Sequence, residues 1–369
     1  MQHLQEMHLS SSVFSLSRYG INTSVRIGSG IMLEELEALS GHDTYIAVSG
    51  KVLSLHNELS QWLSNNRRVH YSPVDDGERC KSLSSYEGMV SSLLSLGFPR
   101  GGIIAYIGGG TLGDLAGFVS ATYKRGTGFF AFPTTLLSSV DSSIGGKNAL
   151  NFDSLKNAVG TIWNPSRIII DLDFLATLPR DELLNGVSEI VKYAILKDPE
   201  LLAERGFLNL VKNDHSGSAE IVERSIRIKA GFISGDIDDR GSTRIFLNFG
   251  HTFGHALEAV SQNAIPHGRG VAAGMIFETK LACDLGLCGE NTLHRVVSMI
   301  RDSGLDLPGL ENVDPTMMMR YVLNDKKSRD GILVIPYPIR PGKMDLAEVR
   351  QETFEKSLKE FIVSGYGPI

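Results

Sequence analysis

The sequence predicts an α/β protein in two parts, a first half in which strands and helices alternate and a helical second half. Three observations carry that reading. Up to Asp171, short runs of β-branched and aromatic residues alternate with helical patterns, the texture of a parallel sheet with crossover helices. A glycine-rich turn, Gly108-Gly109-Gly110-Thr111-Leu112-Gly113-Asp114, joins one of those strands to the helix after it. Beyond Pro179 the strands give way to helical stretches, which puts a boundary between 171 and 180 and assigns 1–175 to the first domain and 176–369 to the second.

Each element follows from its residues. Residues 1–20 are polar and serine-rich, a frayed lead-in or an edge strand. Tyr45-Ile46-Ala47-Val48 is a short buried strand ended by Ser49-Gly50, and a helical pattern follows through Trp62. Val69–Val74 is another strand, and the polar loop Asp75-Asp76-Gly77-Glu78 leads through Lys81 into a helix reaching Leu96. Ile103–Ile107 is the strand before the glycine-rich turn, and Leu115–Tyr123 is the helix after it.

Backbone amides at a helix start, bare of side chains, can cradle a pyrophosphate. The turn holds G-x-G-x-x-G at Gly108, Gly110 and Gly113, yet it comes far into the chain, and no acidic residue stands ~20 positions on to take a ribose hydroxyl. The expectation is a Rossmann-like dinucleotide domain rather than an ordinary Rossmann one, the alternative being a tight turn with no ligand. Gly128–Phe132 is a further strand, closed by Pro133-Thr134-Thr135, whose hydroxyls reach a nucleotide or cap the next helix. Asp141–Asn148 reads as a loop holding one acid and one base, and Lys156-Asn157 follows. Such residues are ordinarily solvated, but their clustering after strand ends points to a shared crevice. Ile168–Asp171 is the last strand of this half.

The second half reads as helices at 180–198, 200–213, 217–234, 243–261, 270–287, 290–304 and 314–324, a hairpin-like piece at Ile332–Ile335 with Pro336 and Pro338, and a final helix over Leu346–Val363. Its strongest chemical signal is Leu247–His267. Asn248, His251 and His255 recur every three to four positions and share one face of a helix, with a third imidazole, His267, just past Pro266. Two histidines one turn apart present nitrogens to one divalent cation, and a histidine or carboxylate from elsewhere completes the set. Spacing alone leaves open which imidazoles take part. Glu189 and Lys192 stand three apart; on a surface they form an ion pair worth a few tenths of a kcal/mol. Their neighbours Val187, Ile190, Val191, Tyr193 and Ala194 instead imply a buried helix, where a carboxylate needs a metal or a cation, so Glu189 is the candidate for the missing ligand. Lys229 and Arg244 are isolated cations near the histidine helix.

Composition narrows the partners. Against 42 acidic residues stand 36 lysines and arginines, a net charge of −6, which excludes general attraction to nucleic acid or an anionic membrane. Any anionic substrate must be met by locally placed cations. Three cysteines, Cys80, Cys283 and Cys288, make no disulfide framework, and the last two read as packing residues in a helical stretch. The N-terminal segment resembles no secretory signal and no run approaches ~20 apolar residues, so a cytoplasmic location is expected.

Taken in order, GGGTLGDLAGFVSATYKRG, PTTLLSSVDSSIGGKNALNF, LKNAVGTIWNP, DLDFLATLP, GVSEIVKYAIL, LNFGHTFGHALEA, HGRGVAAGM and NDKKS resemble the sugar phosphate cyclase family over Gly77–Lys327. The resemblance implies an N-terminal αβ domain that binds NAD, a C-terminal all-helical domain that binds a divalent metal (Zn2+ or Co2+), and an active site in the cleft between them. Carried over motif by motif, it makes Glu189, His251 and His267 the metal ligands and turns His255 to the substrate. It assigns NAD contacts to Gly109, Gly110, Asp114, Thr134 and Thr135, with Glu78 and Lys81 towards the adenosine ribose and Asp141 near the nicotinamide. Lys147 and Lys156 serve both cofactor and substrate. Substrate phosphate and carboxylate fall to Lys147, Lys156, Asn157, Lys192, Lys229, Arg244, Asn248, His255 and Lys326, joined by Arg125 from the neighbouring subunit of a homodimer. At Ser49-Gly50-Lys51 the sequence departs from the family, whose members often place an acidic residue there to contact the adenosine.

The implied substrate is 3-deoxy-D-arabino-heptulosonate 7-phosphate, whose two anionic groups suit that set of cations. The implied reaction oxidises C5 with NAD, eliminates phosphate, returns the hydride and closes the ring by an aldol step, with His255 as a proton relay. Cyclases acting on substrates without the carboxylate tend to lose the arginine and asparagine before the histidine pair; Arg244 and Asn248 favour the carboxylated substrate. An amino analogue of that substrate remains an alternative within the family. Metal-dependent alcohol and glycerol dehydrogenases are the alternative from another reaction class.

Overall fold

The computed structural model describes residues 12–153, 155–212, 214–236, 243–262, 264–324, 328–329 and 331–366. They fall into two compact units, one running to Leu178 and joined by Ser218–Ala230, the other holding Pro179–Gly217 and the chain from Gly231 onward.

The first unit opens with β1 (Ser12–Ser15), β2 (Ser24–Gly28) and α1 (Met32–Glu37). Next come β3 (Thr44–Ser49), α2 (Gly50–Leu55), α3 (Asn57–Asn65), β4 (Val69–Val74) and α4 (Leu83–Ser95). The unit continues with β5 (Ile103–Gly108), α5 (Gly110–Thr122), β6 (Gly128–Pro133), β7 (Lys147–Phe152), β8 (Leu155–Ile162) and β9 (Arg167–Asp171). Seven of these strands form one sheet in the order β1-β2-β9-β6-β5-β3-β4, parallel except for β1. Every residue of β3 is buried, as a central parallel strand covered on both faces requires. Ile46, Val48, Ala105, Ile107 and Phe132 from the sheet pack with Leu36, Leu59 and Leu63 from the helices in one core.

One hairpin of this unit differs from the sequence reading. Lys147-Asn148, read as the end of a loop, begins β7, which pairs with β8 as a separate antiparallel hairpin. The hairpin was hard to see because β8 is exposed from Leu155 to Gly160, so no apolar face marks its period. The serine-rich lead-in ends in an edge strand, β1, against β2, while residues 1–11 lie outside the described set.

The second unit is built on α6 (Arg180–Leu196), α7 (Arg205–Val211), the end of α8 (Ser218–Ile233), α9 (His251–Val260), α10 (His267–Asp284), α11 (Glu290–Asp302) and α12 (Pro315–Asn324). It closes with β10 (Ser328–Arg329), β11 (Ile332–Arg340), β12 (Lys343–Arg350) and α13 (Gln351–Ser364). Helices occupy most of the expected stretches, though 200–213 splits into a 3-10 turn at Pro199–Leu202 and α7, and a three-stranded antiparallel sheet β10-β11-β12 is added to them, so the unit is not all-helical. Leu346–Arg350, read as the start of the last helix, is strand: Ala347 and Val349 face inward opposite Ile335 and Leu333 while Glu348 and Arg350 are exposed. The helix expected over 243–261 is broken. A 3-10 turn spans Arg244–Asn248, Gly250 takes φ +78°, and α9 starts afresh at His251. Asn248 therefore lies before the break rather than on one continuous face with His251 and His255.

Candidate active site

In the second unit, α6 is buried from Leu183 through Leu196, which removes both Glu189 and Lys192 from solvent. Asn185 and Glu189, one turn apart, share a face of α6. Asn185 Oδ1 accepts the backbone N–H of Gly268 at 2.8 Å, docking the start of α10 on that face. Only glycine fits at 268, since a Cβ there would stand 2.8 Å from Asn185 Cα and 2.9 Å from Leu184 O. His267, the first residue of α10, is thereby brought to Glu189.

α9 brings the other imidazoles. Gly250 N–H donates to Glu278 Oε2 at 2.7 Å, and Gly250 O lies so close to α10 that Gly274 has no room for a side chain, so the start of α9 is fixed on α10. His251 Nε2 and His267 Nε2 then stand 3.5 Å and 3.6 Å from the same oxygen, Glu189 Oε1. The His255 ring centroid is 5.0 Å from that of His251 and 6.1 Å from that of His267, and its side chain is exposed.

Glu189 Oε1 is fully buried and accepts no hydrogen bond, while Oε2 pairs with the Lys192 ammonium. A buried carboxylate oxygen that accepts no hydrogen bond is costly unless a cation sits on it. Donors about 2.1 Å from a tetrahedral cation are about 3.4 Å apart, and the oxygen-to-nitrogen spacings here match that edge. One carboxylate and two imidazoles are also a donor set suited to zinc or cobalt. The residues fit a divalent ion.

The charges are arranged accordingly. Burial alone would raise the Glu189 carboxyl, but Lys192 and His267 hold it at about 2. Burial lowers His251 well below the usual imidazole range, and the nearby Lys192 adds to the effect. Burial also works against a charged His267, yet the carboxylates of Glu189 and Glu258 outweigh it and raise that ring to about 10. Glu258, on α9, was not singled out from the sequence. Its signal is that it lies seven residues after His251 and three after His255, on their face of the helix.

In the first unit, topology opens a crevice at one edge of the strand ends. From β3 the chain crosses to β4 on one side, and from β5 to β6 on the other, so a crevice opens at the carboxyl ends of β3 and β5. Ser49-Gly50 and Gly108-Gly109-Gly110 meet there, and the Gly108 Cβ position is 3.3 Å from Ser49 Cβ. A side chain on Gly110 would approach Ser142 Oγ to 2.4 Å, so glycine keeps the first amides of α5 bare. Thr134 N–H donates to Gly108 O at 2.9 Å, and Thr135 Oγ1 accepts from Ser138 N at 3.1 Å, so Thr135 serves as a cap.

Beside the turn, Lys81 Nζ lies 2.6 Å from Asp114 Oδ2 and also donates to Asn157 Oδ1. Glu78 Oε1 stands 3.9 Å from that ammonium and accepts from Asn151 Nδ2 at 2.9 Å. Lys229, on α8, pairs with Asp141 at 2.8 Å and donates to its backbone carbonyl at 2.7 Å. Lys147, Lys156 and Asn157 are exposed on the hairpin. Arg125 is exposed, and both it and Lys124 take positive φ, +65° and +47°. Arg244 is buried and Asn248 half-buried at the 3-10 turn before α9, while Lys326 lies outside the described residues.

This architecture is similar to those of solved sugar phosphate cyclases. A 2-deoxy-scyllo-inosose synthase complexed with carbaglucose-6-phosphate, NAD+ and Co2+ matches with a TM-score of 0.82 at 25% identity, over 95% of this chain and 100% of that one. The 2-epi-5-epi-valiolone synthase of Streptomyces hygroscopicus, with NAD+ and Zn2+ bound, matches with a TM-score of 0.80 at 26% identity, over 99% of each chain. The class of protein is thus the sugar phosphate cyclase fold. The 3-dehydroquinate synthase N-terminal model matches residues 71–185 and the C-terminal model residues 186–328. A 3-dehydroquinate synthase of Saccharolobus solfataricus is 37% identical over 338 residues, covering 89% of this chain and 93% of its own length. The chain belongs to the 3-dehydroquinate synthase family.

Proposed function

We propose that this chain converts 3-deoxy-D-arabino-heptulosonate 7-phosphate into 3-dehydroquinate and phosphate, acting as a carbon–oxygen lyase of the shikimate route to aromatic amino acids. The observation that carries the reading is the buried Glu189 oxygen facing His251 and His267, a three-donor site for Zn2+ or Co2+. When bound, the ion acidifies substrate hydroxyls and NAD takes up and returns a hydride.

The chain's own part is binding and proton placement. Lys192 pairs with Glu189 inside the buried helix, which places its amino group where it can donate to a substrate oxygen beside the ion. Lys147, Lys156, Asn157, Lys229, Arg244, Asn248 and Lys326 receive the phosphate and carboxylate, and His255 relays a proton. Gly109, Gly110, Thr134 and Thr135 support the NAD pyrophosphate, and Asp114, Glu78, Lys81 and Asp141 its remaining parts. The working form is a homodimer in which Arg125 reaches the neighbouring active site; an Arg125→Ala chain that remains a dimer and keeps full activity would argue against that role.

The test is to incubate the purified protein with the heptulosonate phosphate, NAD and Zn2+ or Co2+, following phosphate and dehydroquinate together. The two products should appear in equal amounts with no net NADH. Phosphate without the carbocycle, or NADH that persists, would sink the reading.

A further inference from the structure

We propose that Cys283 and Cys288 form a dithiol modification site that closes to an intramolecular disulfide on exposure to low-molecular-weight disulfides such as oxidised glutathione. The pair lies in the second unit where α10 ends and α11 begins, and none of the residues discussed above uses it. Its sulfurs are 2.7 Å apart, well inside the contact distance of strangers, and both side chains are partly exposed.

The backbone explains why. After Cys283 the chain reverses through Gly286, φ +73°, whose N–H donates to Cys283 O at 2.9 Å, while Leu287 N–H donates to Ala282 O at 2.9 Å. This reversal folds Cys288 back onto the last turn of α10, where its thiol points at Thr279 O at 3.6 Å and that of Cys283 at Gly289 O at 3.4 Å. A glycine C-cap therefore puts two thiols five residues apart side by side. The third cysteine, Cys80, belongs to the first unit and is 3% exposed, so it neither competes for the pair nor meets the oxidant readily.

The chemistry balances as a thiol–disulfide exchange. One thiol, as thiolate, attacks oxidised glutathione and releases one reduced glutathione; the second attacks the mixed disulfide and releases another. Two S–H bonds are lost, one S–S bond forms, and the two electrons and two protons leave on the two glutathione molecules. The link joins the end of α10 to the start of α11, at the opposite end of α10 from His267. It should therefore raise resistance to thermal unfolding without changing the metal-dependent activity.

The experiment treats the full-length protein with oxidised glutathione, removes the reagent, and counts thiols after denaturation. The count should fall from three to one, with a mass lower by two hydrogens and a single cross-linked peptide containing both cysteines, and dithiothreitol should restore it. Cys80→Ser should oxidise as the parent does, and Cys288→Ala should lose the mass change. Three surviving thiols, a lasting glutathione adduct on either cysteine, or oxidation confined to Cys80 would each overturn the proposal. Because Cys80→Ser retains the pair, it decides the matter even if Cys288→Ala does not fold.

Discussion

His267 donates its Nδ1–H to Glu258 Oε1 at 2.8 Å. An ionised carboxylate can only accept, so this contact leaves Nε2 as the nitrogen with a free lone pair once the ring is neutral, and Nε2 is the atom that faces Glu189 Oε1. Glu258 thus sets both the tautomer and the orientation of a proposed metal ligand. Glu258→Ala should weaken metal binding by about 10–100-fold. Competition with a chromophoric chelator measures it, and an unchanged affinity would remove Glu258 from the centre.

Metal uptake should depend on pH in a definite direction. Without an ion, His267 is held protonated up to about 10, His251 is already neutral and Glu189 already ionised, so one proton has to leave as the ion enters. Apparent affinity should rise about tenfold per pH unit between 7 and 9 and level off near 10. The sign is opposite for the metal-free protein's stability. A ring raised above its unfolded value contributes fully below about 6.5, and the contribution is lost as pH rises through about 10. Calorimetry in buffers of different ionisation enthalpy counts the released proton; zero would contradict the assignment.

Gly274→Ala tests the helix crossing that places His251. The added Cβ would fall 1.9 Å from Gly250 O, a backbone atom that cannot swing aside. Overpacking of this kind should cost about 1–3 kcal/mol and displace His251, the residue after Gly250, weakening metal binding as well. Gly231→Ala, inside α8 with nothing within 4 Å, is the control and should be neutral or stabilising by about 0.5–1 kcal/mol. Equal melting temperatures for the two variants would refute the crossing argument.

Parts of the chain are readable from sequence and others are not, for physical reasons. The parallel strands β3 and β5 could be found because both are apolar on both faces, whereas β2, whose residues 24 and 26 are only half-buried, was missed. Glu189 stood out as a carboxylate in an apolar helix. Spacing could not choose among His251, His255 and His267, since the choice depends on the αL break at Gly250 and on Asn185 docking α10, both tertiary events. The β7–β8 hairpin and the final strand were missed where burial is slight or confined to alternate residues of a short segment. Glu258 had the right helical phase, but its partner is nine residues away across Pro266.

Lys81→Met should expose how the proposed nucleotide end of the first unit depends on one side chain. Burial raises the Asp114 carboxyl to about 6, and Lys81 is what keeps it from rising further. A carboxyl raised above 3.8 favours the folded state fully below that value, and the benefit is lost as pH passes its folded value. In the variant that loss should continue above pH 6, leaving it about 1–3 kcal/mol less stable than the parent at pH 8 and nearly equal at pH 4. Melting temperatures across that range measure the gap, and a constant gap would show that the Lys81–Asp114 pair is not its source.

The proposed role of Arg244 separates substrate from cofactor. It is buried in the turn that precedes α9, with its own N–H directed at Asp236 Oδ2 at 3.4 Å, so its guanidinium is carried by backbone tied within the second unit. A guanidinium that meets the substrate carboxylate contributes charged hydrogen bonds worth about 1.5–3 kcal/mol, or about 10–150-fold in affinity. Arg244→Ala should therefore raise the KM for the heptulosonate phosphate by that factor while the NAD affinity stays within about twofold, and Arg244→Lys should recover only part because a lysine cannot offer the two-pronged geometry. Titration of NAD by calorimetry and initial rates against substrate give both quantities on the same preparation. Equal losses in the two would mean that Arg244 holds the fold of the turn and not the carboxylate.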